Sequence, residues 1–251
     1  MANGCISVER ILAKLDEHLG RNDYAAAERH LCYWLSEAEA GGDGRTELLM
    51  RNELMGLYRK LSRRDEALRS VDAALCAVER MGVGKQVGAA TTYLNSATVY
   101  KAFGMAERAM PLFERAREIY ERELPADDGR LGGLYNNTAL ALIDLCRFSE
   151  AYELYGKAIS VMERVEGGAL EVAITYLNIA SAKEAQLGLL DADGEINECL
   201  DKAQVLLDAN ISSDGYYAFV CEKCAGVFGY YGRFLYDAEL RERARRIYEG
   251  T

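Results

Sequence analysis

One five-residue signature occurs three times along the chain at a nearly constant interval. Tyr93-Leu94-Asn95-Ser96-Ala97 comes back 42 residues later as Tyr135-Asn136-Asn137-Thr138-Ala139. It returns 41 residues after that as Tyr176-Leu177-Asn178-Ile179-Ala180. An alanine pair seven apart trails the first two, Ala109/Ala116 and Ala151/Ala158, and Ala67/Ala74 continues the interval backward. Ala203 and Ala244 carry it forward, past a few extra residues at Asp191 to Gly194. A fixed period of this length means one supersecondary unit stacked on copies of itself, because a single unit cannot bury its own apolar face.

Inside each period the apolar spacing is helical. Tyr93, Ser96, Ala97 and Tyr100 follow the i, i+3, i+4, i+7 rule, and so do Ala109, Leu112, Phe113 and Ala116. Between the two runs lies Gly104, a residue suited to the left-handed conformation that ends one helix before the next begins. Cys146, Gly188 and Gly232 hold that place in later repeats. Each period is therefore read as an antiparallel helix pair, helix A then helix B. The expected pairs are 6–19 with 23–40, 46–61 with 64–81, 87–103 with 106–122, 130–146 with 149–165, 170–187 with 194–209, and 215–231 with 234–249. The fold class expected is all-α, a right-handed superhelix of about six repeats. They form a single repeat domain over 1–251, with repeats at 6–40, 46–81, 87–122, 130–165, 170–209 and 215–249. The short Gly41-Gly42-Asp43-Gly44 stretch is the most flexible-looking connection.

Composition narrows the function. The formal charge of −10 disfavours nucleic acid and anionic membrane, both of which need a basic field. No run of about 18 apolar residues is present to cross a membrane. The start, Met1 to Cys5, has no export or acylation pattern, so a cytoplasmic location and reduced thiols are expected for the seven cysteines. The Cys221-Glu222-Lys223-Cys224 pair lacks a second CxxC or a nearby histidine, which a zinc site would need. By register the two cysteines point into the last helix pair and are core. No cofactor and no metal are expected.

These residues resemble the tetratricopeptide repeat. Ala97, Ala139, Ala180 and Ala225 match its eighth position, and Ala27, Ala67, Ala109 and Ala151 its twentieth. Ala74, Ala116, Ala158, Ala203 and Ala244 match its twenty-seventh, while Tyr58, Tyr100 and Phe228 take the eleventh. Small residues in these columns let neighbouring helices approach closely. The long period is similar to the repeats of kinesin light chain. The first repeat departs most, with Leu15 and Trp34 in two alanine columns, as a capping repeat can.

The resemblance implies a concave surface lined by the A helices, and it places a ligand there. The groove residues expected are Asn52, Arg59, Lys60, Asn95, Thr98, Lys101, Asn136, Asn137, Asp144, Asn178 and Glu184. Asparagine fills motif position 6 in three successive repeats (Asn95, Asn137, Asn178), and Asn52 and Asn136 sit at position 5. A carboxamide both donates and accepts, so such a row serves either of two ends: bracketing the main chain of an extended peptide, or bonding one A helix to its neighbour. The charges divide as well. Arg59, Lys60 and Lys101 fall in the N-terminal half, and Asp144, Glu184 and Glu222 in the C-terminal half.

No catalytic signature is present: GxGxxG, GxxxxGK[ST], HExxH and GxSxG are all missing, and the only histidines are His18 and His30. The expectation is a non-enzymatic adaptor that holds a protein or peptide segment in the groove. The alternative is a peptide-sensing regulator whose superhelix changes shape on binding. The terminal repeats, with Trp34 at one end and Tyr230/Tyr231 at the other, are candidates for homo-oligomer contacts.

Overall fold

The computed structural model describes residues 7–250, and helix is the only regular structure among them. The predicted start at residue 6 and the thiol of Cys5 lie outside the described residues. Two compact units divide the chain, Met1–Glu123 and Leu124–Thr251. The N-terminal unit contains α1 (Val8–Gly20), α2 (Tyr24–Gly41), α3 (Gly44–Lys60), α4 (Arg64–Met81), α5 (Val87–Ala102) and α6 (Ala106–Glu123). The C-terminal unit contains α7 (Gly129–Asp144), α8 (Phe148–Met162), α9 (Ala169–Leu187), α10 (Asp193–Ala209), α11 (Gly215–Tyr230) and α12 (Phe234–Glu249). Each unit is three helix pairs, and the six pairs are those predicted, with their ends displaced by a few residues at most.

Turn chemistry explains why the A helices stop where they do. In five repeats the residue just after the positive-φ turn residue donates its backbone N–H to a carbonyl five residues earlier. The bonds are Asp23 to His18, Arg63 to Tyr58, Met105 to Tyr100, Arg147 to Leu142 and Arg233 to Phe228, all at 2.8–2.9 Å. This is the 6→1 bond of a Schellman ending. The left-handed residues are Asn22, Ser62, Gly104, Cys146 and Gly232, with φ between 55° and 83°. Gly188 also has positive φ (83°), but its ψ is 158°, a region open essentially to glycine alone. The departure follows from the inserted residues: Ala192 N–H bonds to the Gly188 carbonyl, so the chain makes an extra turn before α10. Helix starts are capped by aspartate at Asp23, Asp43, Asp128 and Asp214, whose carboxylates accept backbone N–H groups at 2.8–3.1 Å. Asp43 thus makes the Gly41–Gly44 connection a tight, capped turn.

One boundary differs more. The eighth helix ends at Met162 rather than 165, because Gly168 folds back onto it. A Cβ at Gly168 would lie 2.1 Å from the Met162 carbonyl oxygen, so only glycine permits that approach.

The alanine columns form the interior of both units. Every alanine assigned to the eighth, twentieth and twenty-seventh positions is at most 1% exposed. Large side chains fill the spaces between them, among them Tyr93, Phe113 and Tyr120 in one unit and Tyr155, Tyr217 and Phe228 in the other. Cys221 and Cys224 are buried in this packing, and burial pushes the Cys224 thiol up to about 12. Tyr176, which opens the third copy of the signature, is half-buried and packs against the core of the C-terminal unit.

Candidate binding face on the A helices

In the N-terminal unit, α3 and α5 lie side by side, and a polar contact joins them. Asn95 Nδ2 donates to Asn52 Oδ1 at 3.1 Å, while Asn52 Nδ2 donates to Thr92 Oγ1 at 3.0 Å and to the Leu48 carbonyl at 2.9 Å. The C-terminal unit repeats the device between α7 and α9, where Asn178 Nδ2 donates to Asn136 Oδ1 at 3.1 Å. In both cases a position-5 carboxamide accepts from the position-6 carboxamide of the next repeat. These two pairs therefore bond A helix to A helix within each unit. They do not exhaust their capacity: among the described residues, Oδ1 of Asn95 and of Asn178 accepts no hydrogen bond. Asn137 differs from both, since its Nδ2 is bonded to the Gly133 carbonyl of its own helix at 2.8 Å.

The other predicted residues distribute as follows. Thr98 Oγ1 donates to the Leu94 carbonyl at 2.8 Å and is half-buried. Arg59 and Lys60 are exposed at the end of α3, with the Lys60 ammonium 5.1 Å from the Tyr24 ring centre. Lys101 is half-buried at the end of α5, and Asp144 is exposed at the end of α7. Glu184 is not an open acidic group. Tyr230 and Tyr231 donate their hydroxyls to its two carboxylate oxygens at 2.6 and 2.7 Å, tying α11 to α9. A third tyrosine–carboxylate bond, Tyr216 to Glu171, joins α11 and α9 as well.

Glu53 is absent from the groove residues expected from sequence. It holds position 6 of the second repeat, where three other repeats carry asparagine, and is half-buried on α3. Its carboxyl is held above the usual range by burial and by the Asp16 carboxylate. The signal was available, since Glu53 shares a column with Asn95; the asparagine at its neighbour, Asn52, masked it.

Two further surface features belong to the C-terminal unit. A recess of about 590 Å³ opens beside the α8–α9 loop, walled by Val165, Val172, Tyr176, Val205 and Leu206. Leu190 and Leu235 are each 90% exposed and Phe234 is 71% exposed, all at or beside the A–B turns of the last two repeats.

Comparison with protein-family models and with curated sequences finds no match. Solved structures do match. The BtubC (BKLC) structure from P. vanneervenii is 22% identical over 80% of each chain, with a TM-score of 0.68. A Podosopora anserina putative kinesin light chain with nearly identical TPR-like repeats is 16% identical over 81% of this chain and 95% of its own, with a TM-score of 0.54. A single-substitution variant of that protein gives 0.57 over the same shares. Twelve helices in six registered pairs among the described residues, alanine in three buried columns and these likenesses together give the chain the fold of the tetratricopeptide-like repeat proteins.

Proposed function

We propose that this helical repeat scaffold is a non-enzymatic adaptor that holds an extended peptide segment of a partner protein against its A helices. The observation that carries the reading is the set of half-buried carboxamides at one motif column, whose oxygens at Asn95 and Asn178 retain acceptor capacity after the inter-helix bonds are made. Such groups match the alternating N–H and C=O of an extended main chain without reading its side chains. Inter-helix bonding and peptide contact then use the same side chains: one amide hydrogen holds the helix spacing and the remaining oxygen meets the ligand. The test is a peptide-display selection on the purified protein, followed by titration of selected peptides into Asn137→Ala. A loss of affinity of about tenfold is expected, the scale of one or two lost hydrogen bonds. Selected sequences without any shared feature, or unchanged affinity in the variant, count against the groove.

A second reading rests on Leu190, Phe234 and Leu235. Exposed apolar groups of this size favour contact with another protein surface, and a second copy of the chain is one source. Sedimentation of the wild type beside Leu235→Asp decides it. A dimer lost in the variant supports self-association, and a monomer at all concentrations removes it.

A further inference from the structure

Charged groups on the helices of this protein are commonly paired, and among the described residues α3 carries two that are not, Glu53 and Arg59. Glu53 is half-buried, and among the described residues its side chain makes no hydrogen bond and no ion pair. Burial raises its pKa, and the like charge of Asp16 on α1 adds to the rise. Arg59, exposed at the end of the same helix, also has no hydrogen-bonded or ionic partner for its guanidinium among the described residues. Elsewhere the chain pairs such groups: Glu47 on the same helix is bonded by Arg51 at 3.0 Å and by Arg80 at 2.5 Å. A half-buried carboxylate without a partner, as at Glu53, is a liability unless something outside the chain neutralises it.

Between the two lies Gly56. It sits in the interior of a 17-residue helix, where glycine costs roughly 1 kcal/mol relative to alanine. Packing does not demand it, since a Cβ there would meet no atom within 4 Å. The space in front of the helix is open, and a bare backbone lets a second chain come close.

We propose that this stretch of α3 receives a partner segment carrying a basic side chain for Glu53 and Asp16 and an acidic one for Arg59, its main chain crossing over Gly56. The inference rests on the groove reading above and gives it a ligand chemistry. Six helical residues rise about 9 Å, which an extended chain covers in about three residues, so the basic and acidic side chains stand about three positions apart. Complementary charge at two fixed points sets register and excludes segments of the wrong polarity.

The test uses the full chain and display-selected peptides. Wild-type selection is expected to enrich a Lys or Arg about three positions from an Asp or Glu. Glu53→Gln should weaken those peptides by about tenfold or more. Selection on Glu53→Lys should replace the basic residue by an acidic one. Gly56→Ala should lose affinity by a similar factor while unfolding at higher urea, a combination that damage to the fold would not produce. Peptides that bind in an Asn137-dependent way without the charge spacing, or that bind Glu53→Gln and Gly56→Ala undiminished, overturn this inference and leave the groove standing. If no peptide binds, the groove and the inference fall together.

Discussion

Asn95 and Asn52 are 43 residues apart in sequence and joined by a 3.1 Å hydrogen bond between their carboxamides, across the contact of α5 with α3. The bond links one repeat to the next at a fixed offset, and Asn178 with Asn136 reproduces it. A polar side chain in the inner columns therefore has a mechanical role whatever else it touches, which makes stability and binding separable by choice of residue.

Asn52 accepts one hydrogen bond and donates two, whereas among the described residues Asn137 bonds within its own helix, to the Gly133 carbonyl. Asn52→Ala should cost about 1–2 kcal/mol, and Asn137→Ala should stay within about 0.5 kcal/mol of wild type. Urea unfolding of the two variants measures both, and equal losses would mean that the inter-helix bond contributes little.

Ala158 is 1% exposed in the twenty-seventh column, against the neighbouring helices. Ala158→Glu should destabilise by about 3 kcal/mol or more, through steric overlap and an unpaired buried carboxylate. Thermal unfolding followed by circular dichroism reads the loss.

Glu53 gives a pH dependence of definite sign. Its folded pKa lies above the ordinary value, first from burial and second from Asp16, so the folded state resists ionisation. The destabilisation begins as pH rises through the unfolded value and is complete above the folded one. Glu53→Gln should therefore be more stable than wild type at about pH 7, and the gain should vanish at about pH 3.5, below the ordinary glutamate value. Urea midpoints at the two pH values provide the measurement, and a gain that persists in acid would point to packing instead.

Glu47 has the opposite sign. Burial raises its pKa, but the hydrogen bonds from Arg80 and Arg51 outweigh that, and the net shift is downward. Its stabilising contribution is present above the unfolded pKa and is lost as pH falls through the folded one. Arg80→Ala removes one of two cations from a carboxylate whose side chain is 5% exposed, and should cost about 1–3 kcal/mol at neutral pH. The difference from wild type should shrink on acidification, as urea titrations in the acid range would register.

Much of this structure was legible in the sequence because the repeat encodes it redundantly. The alanine at 97, 139, 180 and 225 has one packing environment four times over, so one alignment located helices, core and turn glycines together. Cys146 was placed at a left-handed turn by its column alone, although cysteine has no preference for that conformation. What the period could not carry is whatever differs between repeats. The early end of α8 depends on Gly168 meeting Met162, a contact with no counterpart in the period. The pairing of Glu184 by Tyr230 and Tyr231 depends on side chains unique to the last repeat. The asparagine column on the A helices was legible from the repeat, but which of its groups are already satisfied required the distances.

Amide hydrogen exchange of the protein with and without a display-selected peptide tests the central claim most directly. Binding against the A helices predicts added protection in α3, α5, α7 and α9, with the strongest effect on α3 around Gly56. Protection confined to the B helices, or to the α8–α9 loop and α10 around the Val205 recess, would contradict it.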